Sequence, residues 1–362
     1  PPPPPPPPPP PHFQAEDGIR DLVLSLVGSE MCIRDRLRMV SARLEATLAG
    51  SAHAYQSADE FIADIGLVRD SLESNRGHNA GLFRVKRLLR RVHTFGFHLV
   101  TLDVRQDALL HRRVMGELLA CDDWEERGAE KRAAVLAHLL EEGALPGVNS
   151  SGSLSDDARS TLDVFRAISS ARQMYGRSAI GLFITSMTQG ADDVLTVMAL
   201  AEMASPHTGA PAQLDIAPLL ETVDDLHAGP DIVASLLSHG IYREHLERLD
   251  RRQAVMVGYS DSNKDSGIVA SRWALHESQR RLVAAGARHG IDIVFFHGRG
   301  GTVSRGGGNL VNGILGAPPG TVKSFLRLTE QGEVINQKYG VRFLALRNLE
   351  LVSGAALVHS MD

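Results

Sequence analysis

The stretch IDIVFFHGRGGTVSRGGG, residues 291–308, joins a six-residue run that is apolar but for Asp292 to a segment of bare backbone and positive charge. Arg299 and Arg305 lie six apart, each is followed by glycines, and His297 stands two places before the first arginine. Two structures explain such a segment. It is either an RGG-type tail that binds RNA in a solvated state, or a rigid anion pocket at the end of a buried strand. In the second case the glycines let the backbone approach a ligand and expose its amides as an anion nest.

Working outward, the same motif recurs. FHLVTLDVRQD reads as a strand from Phe97 to Val104, and AIGLFITSM, LDIAPLLET and QAVMVGYSDS follow as further strands. Residues 108–145, a segment from about Ala158 to Met174, ADDVLTVMALAEMA, VDDLHAGPDIVASLLSH and SGIVASRWALHESQRRLVAAGARHG read as the intervening helices. TVKSFLRLTEQGEVI is the place for a sixth strand, and RFLALRNLELVSGAALVHS is helical. Near-continuous apolar strands that alternate with helices form a parallel sheet buried on both faces. Functional residue types close each strand: Arg105, Ser186, Glu221, Asp261, then His297 and Arg299. Chemistry at the carboxyl ends of successive strands favours a partial (β/α)8 barrel, α/β in class with many additional helices. A doubly wound sheet, which concentrates its chemistry at one crevice, is the competing architecture.

Composition narrows the function. The chain of 362 residues carries a net charge of -5 and only 5% aromatics, which disfavours a general nucleic-acid binder. No apolar run reaches the ~20 residues of a membrane span. Two cysteines without a partner motif argue against a disulfide framework or zinc site and suit a reducing cytoplasm. Residues 1–36 open with eleven prolines and contain AEDGIRD and VGSEMCIRDR. They read as a disordered, non-native segment of translated sequencing adapter, which leaves Cys121 as the authentic cysteine. The expected organisation is then a helical region over 37–91 and a truncated barrel over 92–362, with a helical insertion at about 108–175. Asp192 and Asp193 suit the amino terminus of their helix.

At the strand ends, Arg105 in LDVRQD is a planar fork for phosphate or carboxylate, or equally a rim ion pair to Asp103 or Asp107. Glu221 and Asp261, closing adjacent strands, suit Mg2+ or Mn2+, a hard cation held by one or two carboxylates plus substrate oxygens. Asp224 and Asp225 read as helix caps. Lys264, in a turn opening onto a helix, is a surface lysine or an anion contact. His297 is an oxyanion donor, a proton carrier or a half-buried structural histidine. TEQGEVI has no role legible from its chemistry, and the remaining histidines read as structural.

FHGRGGTVSRGGG and VMVGYSDSNKDSG, with LDVRQD, PLLETVDDL, TEQGEVI and RNLE in this order, closely resemble the phosphoenolpyruvate carboxylase family. The resemblance covers Leu37 to Asp362; Ser304, Asn263 and Asn309 are small departures. It implies a (β/α)8 barrel in a cytoplasmic homotetramer, a carbon–carbon lyase with no nucleic-acid or membrane partner. The reaction implied joins phosphoenolpyruvate and bicarbonate through carboxyphosphate and an enolate to give oxaloacetate and phosphate, replenishing the citric acid cycle. It further implies Glu221 and Asp261 as ligands of Mg2+ or Mn2+, Arg105, Arg299, Gly300 and Gly301 as phosphate-binding groups, and Lys264, His297 and Arg305 around bicarbonate and carboxyphosphate. The family also uses an upstream histidine motif and downstream arginines, so residues 37–362 are expected to be inactive alone.

Overall fold

The computed structural model describes residues 30–147, 154–204, 213–299, 310–323, 326–330 and 332–361. The chain divides into two compact units, Pro1–Thr101 with Ala171–Ala179, and Leu102–Ser170 with Ile180–Asp362.

The first unit is built on three helices, α1 (Glu30–Ala49), α2 (Ala58–Ser74) and α3 (Leu82–Phe95). Their apolar stripes meet in two clusters, one around Val40, Phe61, Ile65, Leu89 and Val92, the other around Ile33, Val68, Leu72 and Leu82. Asp64 gathers Arg36 at 2.8 Å, Arg43 at 3.2 Å and the Tyr55 hydroxyl at 2.9 Å. Residues 30–36, expected to be a non-native stretch, form the first turns of α1, with Ile33 packed inside the unit and the half-exposed Arg36 paired to Asp64. The proline run lies outside the described residues.

The expected strand Phe97–Val104 is corrected. Phe97 stacks into the helical unit, its ring 6.0 Å from Phe61 and 6.3 Å from Tyr55, and Leu99 takes φ 65°. The aromatic core of the first unit thus claims the start of this apolar run. The strand β1 begins only at Leu102 and ends at Asp107.

In the second unit, α4 (Ala108–Leu118) and α5 (Ala129–Glu141) replace the single helical run expected over 108–145, because the buried Trp124 closes a turn between them. The order continues α6 (Asp156–Tyr175), β2 (Ile180–Ser186), α7 (Ala191–Ala204), β3 (Asp215–Leu220), α8 (Val223–Ser238), α9 (Gly240–Glu247), β4 (Arg252–Gly258), α10 (Ser260–Arg288), β5 (Asp292–Gly298) and α11 (Leu310–Leu315). It ends with β6 (Arg327–Leu328), α12 (Gly332–Tyr339) and α13 (Arg342–His359). The sixth strand has only two residues, and most of TEQGEVI enters α12 instead of extending it.

The strands pair in parallel in the order β1-β2-β3-β4-β5-β6. A doubly wound sheet reverses at a switch point; this one never does, so that architecture is excluded. Every crossover steps in the same direction, which keeps the helices on one face. Leu182, Ile184, Ala217, Leu219, Ala254, Met256 and Phe296 form the opposite, inner face. The outer residues lie against helices. A Cβ on Gly229 of α8 would fall 2.3 Å from the Leu220 side chain, and one on Gly286 of α10 would fall 2.6 Å from Ile293. The sheet curls as half a barrel, far enough for its edge strands to touch. Arg327 of β6 donates to Asp103 of β1 at 2.5 Å while lying 5.0 Å over the Phe296 ring.

Asp192 and Asp193 do more than favour a helix terminus. Helix α7 is buried nearly all round, so both carboxylates are paired internally. Asp192 takes Arg132 of α5 at 2.6 Å, and Asp193 takes Arg112 of α4 at 2.9 Å. The second oxygen of Asp193 accepts the Gln189 N–H at 2.8 Å. Removing one member strands a buried charge. Asp192→Ala is expected to cost about 3 kcal/mol or more, read as a lowered midpoint in urea denaturation of the chain. The double replacement Asp192→Leu with Arg132→Met is expected to cost less than Asp192→Ala alone.

Candidate active site

The described site residues fall into three groups at the carboxyl ends of the strands. The first lies at the rim of the inner face. Asp103 and Arg105 share one face of β1. Glu221 follows β3 in register with Leu219, which lines the inner face. Arg105 Nη2 donates to Glu221 Oε1 at 2.9 Å, with the glutamate side chain 16% exposed and the arginine 51%. Neither rim partner considered for Arg105 is used, since Asp103 is held by Arg327 and Asp107 caps α4 by accepting the Leu109 N–H at 2.8 Å. Thr222 and Asp225 form a capping box at the start of α8. The Asp225 carboxylate also accepts the Glu221 N–H at 3.1 Å, which fixes the backbone from which the glutamate projects. Asp225 is thus a cap, as expected.

The second group is the turn after β4. A Cβ on Gly258 would fall 3.1 Å from Glu221 Cα, so the ends of β3 and β4 abut and the 259–261 turn starts beside Glu221. Asp261 sits in the first turn of α10 and accepts from Lys264 Nζ at 2.8 Å. Gly267, with φ 78° and ψ 166°, interrupts α10 there, in a backbone region essentially confined to glycine. Among the described residues no group of three or more His, Cys, Asp or Glu side chains converges. Two carboxylates from abutting strand ends nevertheless fit a hard divalent cation that takes its other oxygens from substrate and water. Each carboxylate is balanced here by a basic side chain, Arg105 or Lys264.

The third group lies behind β5. Strand alternation turns Phe296 inward and His297 to the helix side. His297 is buried, its Nδ1 2.9 Å from the Tyr259 hydroxyl. Burial above all, with the nearby Arg299 charge, pushes the imidazole down to about 4. The guanidinium of Arg299 lies 5.8 Å from the Tyr259 ring centre and that of Arg272 lies 5.6 Å from it, both in cation–π contact. Burial raises the Tyr259 phenol, and the two arginines oppose that shift. Burial lowers Arg299, against the attraction of Tyr259 and Glu330. Thr329 ties the strand end to β6, its N–H donating to His297 O and its hydroxyl to Arg299 O, both at 3.0 Å. A cavity of about 560 Å³ opens beside this group, lined by Tyr259, His297, Arg272, Trp273, His276 and Gln279 among others.

The structure therefore pairs Arg105 with Glu221 and Asp261 with Lys264 at abutting strand ends, and it sets both His297 and Arg299 against Tyr259. His297 and Arg299 turn to the other side of the sheet. Gly300, Gly301 and Arg305 lie outside the described residues. Ser186 is structural, its hydroxyl donating to Gln106 O at 3.2 Å. His111, His245 and His359 are tied into the packing through Gln106, Leu214 and Ala317. Tyr259 and Arg272 were not singled out from the sequence. Tyr259 carried a signal, standing between strand β4 and Asp261, whereas Arg272 is one cation among several on a long helix.

A parallel sheet curled as half a barrel, with carboxylates and guanidinium groups at its carboxyl ends, places the second unit among α/β catalytic folds that act at strand termini. The chain belongs to the phosphoenolpyruvate carboxylase family, which matches residues 29–362. It is 47% identical over 325 residues to a phosphoenolpyruvate carboxylase of Xanthomonas oryzae pv. oryzae, covering 89% of this chain and 35% of that protein. It is 37% identical to the enzyme of that name from Rhodopseudomonas palustris, covering 89% of this chain and 36% of the relative. For the Mycobacterium leprae enzyme the identity is 38%, over 90% of this chain and 37% of the relative. The chain thus spans about a third of the length of these relatives.

Two buried histidines give the unit a pH signature. His111, like His297, is pushed to about 4 by burial, against an ordinary value of 6.5. The unfolded chain binds protons at both sites between pH 6.5 and 4 while the folded chain does not, so stability is full above 6.5 and falls as the pH drops through that window. His111→Gln or His297→Gln is expected to flatten the fall by up to about 1.4 kcal/mol per pH unit, measured by denaturant unfolding at pH 7, 6 and 5.

Proposed function

We propose that this chain is the catalytic-face segment of a phosphoenolpyruvate carboxylase, joining phosphoenolpyruvate and bicarbonate to form oxaloacetate and phosphate. The observation that carries this reading is the pairing of Arg105 with Glu221 beside the Asp261–Lys264 turn. In a chain of this family, it sets alternating charges where an anionic substrate and a divalent cation would meet.

In this mechanism the phosphoryl group passes from the enol oxygen of phosphoenolpyruvate to an oxygen of bicarbonate. The enol C–O bond stays intact, so carboxyphosphate and the enolate of pyruvate result. In carboxyphosphate the carbon–oxygen bond of the C–O–P bridge then breaks, the bridging oxygen staying on phosphorus and the carboxyl proton passing to the phosphate released with CO2, and the enolate carbon attacks CO2 to form the new C–C bond. Every species but CO2 is anionic, so the barrier falls with cations fixed in advance. Arg105 would hold the phosphate from the inner rim as a planar fork; the family resemblance assigns Arg299 and the amides of Gly300 and Gly301 to the same phosphate, and Arg299 would have to turn from the helix side of β5 to reach it. The resemblance assigns Lys264, His297 and Arg305 to bicarbonate and carboxyphosphate, His297 from the cavity side of β5. Mg2+ or Mn2+, held by Glu221 and Asp261, would neutralise phosphate and enolate oxygens. Arg105 and Lys264 would then turn from those carboxylates to the substrate. Exclusion of water protects the enolate from protonation to pyruvate. The complete eight-stranded barrel, the homotetramer, the cytoplasmic setting and the inactivity of residues 37–362 alone belong to the same reading.

An RNA-binding role for the two RGG units is disfavoured by the position of Arg299. It packs against α11, where a Cβ on Gly313 would lie 3.3 Å from its Nη1, and so is no part of a solvated tail. No helix among the described residues is long and apolar enough to cross a membrane.

In the complete enzyme containing this segment, oxaloacetate formation from phosphoenolpyruvate with Mg2+ is expected to require bicarbonate. Phosphate release with pyruvate and no bicarbonate dependence would instead identify another phosphoenolpyruvate-using enzyme. Arg305→Ala is expected to lower carboxylation by about 10²-fold or more while leaving Mn2+ binding intact; an unchanged rate would remove Arg305 from the mechanism.

A further inference from the structure

We propose that Tyr259 is a positioning residue for His297: its hydroxyl donates to Nδ1 and fixes the imidazole as a neutral Nε2–H donor, not as a base or a cation. The functional meaning rests on the carboxylase reading above, but the tautomer itself does not.

Two bonds join the exits of adjacent strands here. The Tyr259 N–H donates to Gly298 O at 3.3 Å, and the phenol reaches back to His297 Nδ1 at 2.9 Å. The backbone contact sets the distance from which the side chain operates. The direction of the second bond follows from the partners present. A phenol has one proton to give, and among the described residues its hydroxyl meets no other hydrogen-bond partner than this ring nitrogen. The Arg272 and Arg299 guanidinium groups on the phenol ring offer only donors. If Nδ1 carried the proton, the phenol proton of the half-buried Tyr259 would have no acceptor among the described residues, which is costly. With Nδ1 accepting, the phenol proton and the Nδ1 lone pair satisfy each other, and the remaining proton sits on Nε2 of a ring that lines the cavity.

The charges facing the ring point the same way. Arg299 and Arg272 both contact the Tyr259 ring, Glu330 acts on Arg299, and His276 lines the same cavity. A third cation beside two arginines is disfavoured, and the depressed proton affinity of His297 agrees. In the carboxylase reading His297 therefore meets a bicarbonate or carboxyphosphate oxygen with an N–H, and proton removal falls to another group.

The test is histidine-selective 15N NMR of this chain at pH 7, with His297 assigned by loss of its signal in His297→Gln. The expected pattern is a protonated-type Nε2 and an unprotonated Nδ1, together with a slowly exchanging Tyr259 hydroxyl proton. In Tyr259→Phe the Nε2–H to Nδ1–H ratio is expected to fall about fivefold, the worth of one hydrogen bond. An Nδ1–H tautomer in the unsubstituted chain, or a ratio unchanged by Tyr259→Phe, overturns the proposal. The tautomer and hydroxyl signals of the unsubstituted chain decide it even if the variant does not fold. Because the readout is not turnover, failure of bicarbonate dependence in the complete enzyme would leave this result standing, and the reverse.

Discussion

The contact on which the sheet's shape depends is the ion pair between Asp103 on its first strand and Arg327 on its last. Six parallel strands in sequential order already twist toward closure, but two-residue β6 contributes little pairing of its own. Asp103 reaches further than its partner strand, accepting the Leu182 N–H at 2.9 Å with one oxygen and Arg327 with the other. One carboxylate thus links β1, β2 and β6. Its position beneath Arg105 on the same face makes the floor of the inner rim a fixed salt bridge. The rim above it carries a second, Arg105 with Glu221. Opposite charges alternate up this wall, which keeps several ionised groups together at low cost.

That alternation runs through the whole candidate site. Glu221 has Arg105, Asp261 has Lys264, and the Tyr259 ring is in contact with two guanidinium groups. Charges gathered for an anionic substrate would repel one another without such partners. The partners are also exchangeable, since substrate oxygens can replace the carboxylates on the arginine and lysine, and a divalent cation can replace the basic groups on the carboxylates. The buried pairs of α7 are different. Asp192 and Asp193 are 1% exposed, leave no room for a ligand, and serve to fasten α4 and α5 to the core.

Strands β2 to β5 were legible because each is an apolar run bounded by turn residues, whereas Asp261, read as closing the fourth, lies in the first turn of α10 beyond the strand's end at Gly258. The side of the sheet to which His297 turns was not. In a parallel sheet both faces are apolar, so Phe295 and Phe296 give no signal of which lies inward, and the facing of His297 and Arg299 follows only from the packed structure. Phe97 was misassigned because an aromatic in an apolar run suits a strand and a helical core equally, and tertiary packing with Tyr55 and Phe61 decided between them. The Arg105 partner was equally hidden, since Glu221 lies 116 residues away and the nearer aspartates were taken up by Arg327 and by the amino terminus of α4.

Gly267 bears on how the turn after β4 behaves mechanically. By interrupting α10 it divides residues 260–266 from the long segment that follows, whose Leu275, Leu282 and Ala285 are locked in the core. Nothing lies within 4 Å of a Cβ built on it, so the constraint there is torsional and not steric. Across that break the buried Ser262 and Ser271 hydroxyls meet at 2.8 Å, so the turn carrying Asp261 and Lys264 is fastened to the core helix by a side-chain bond and not by continuous helical backbone.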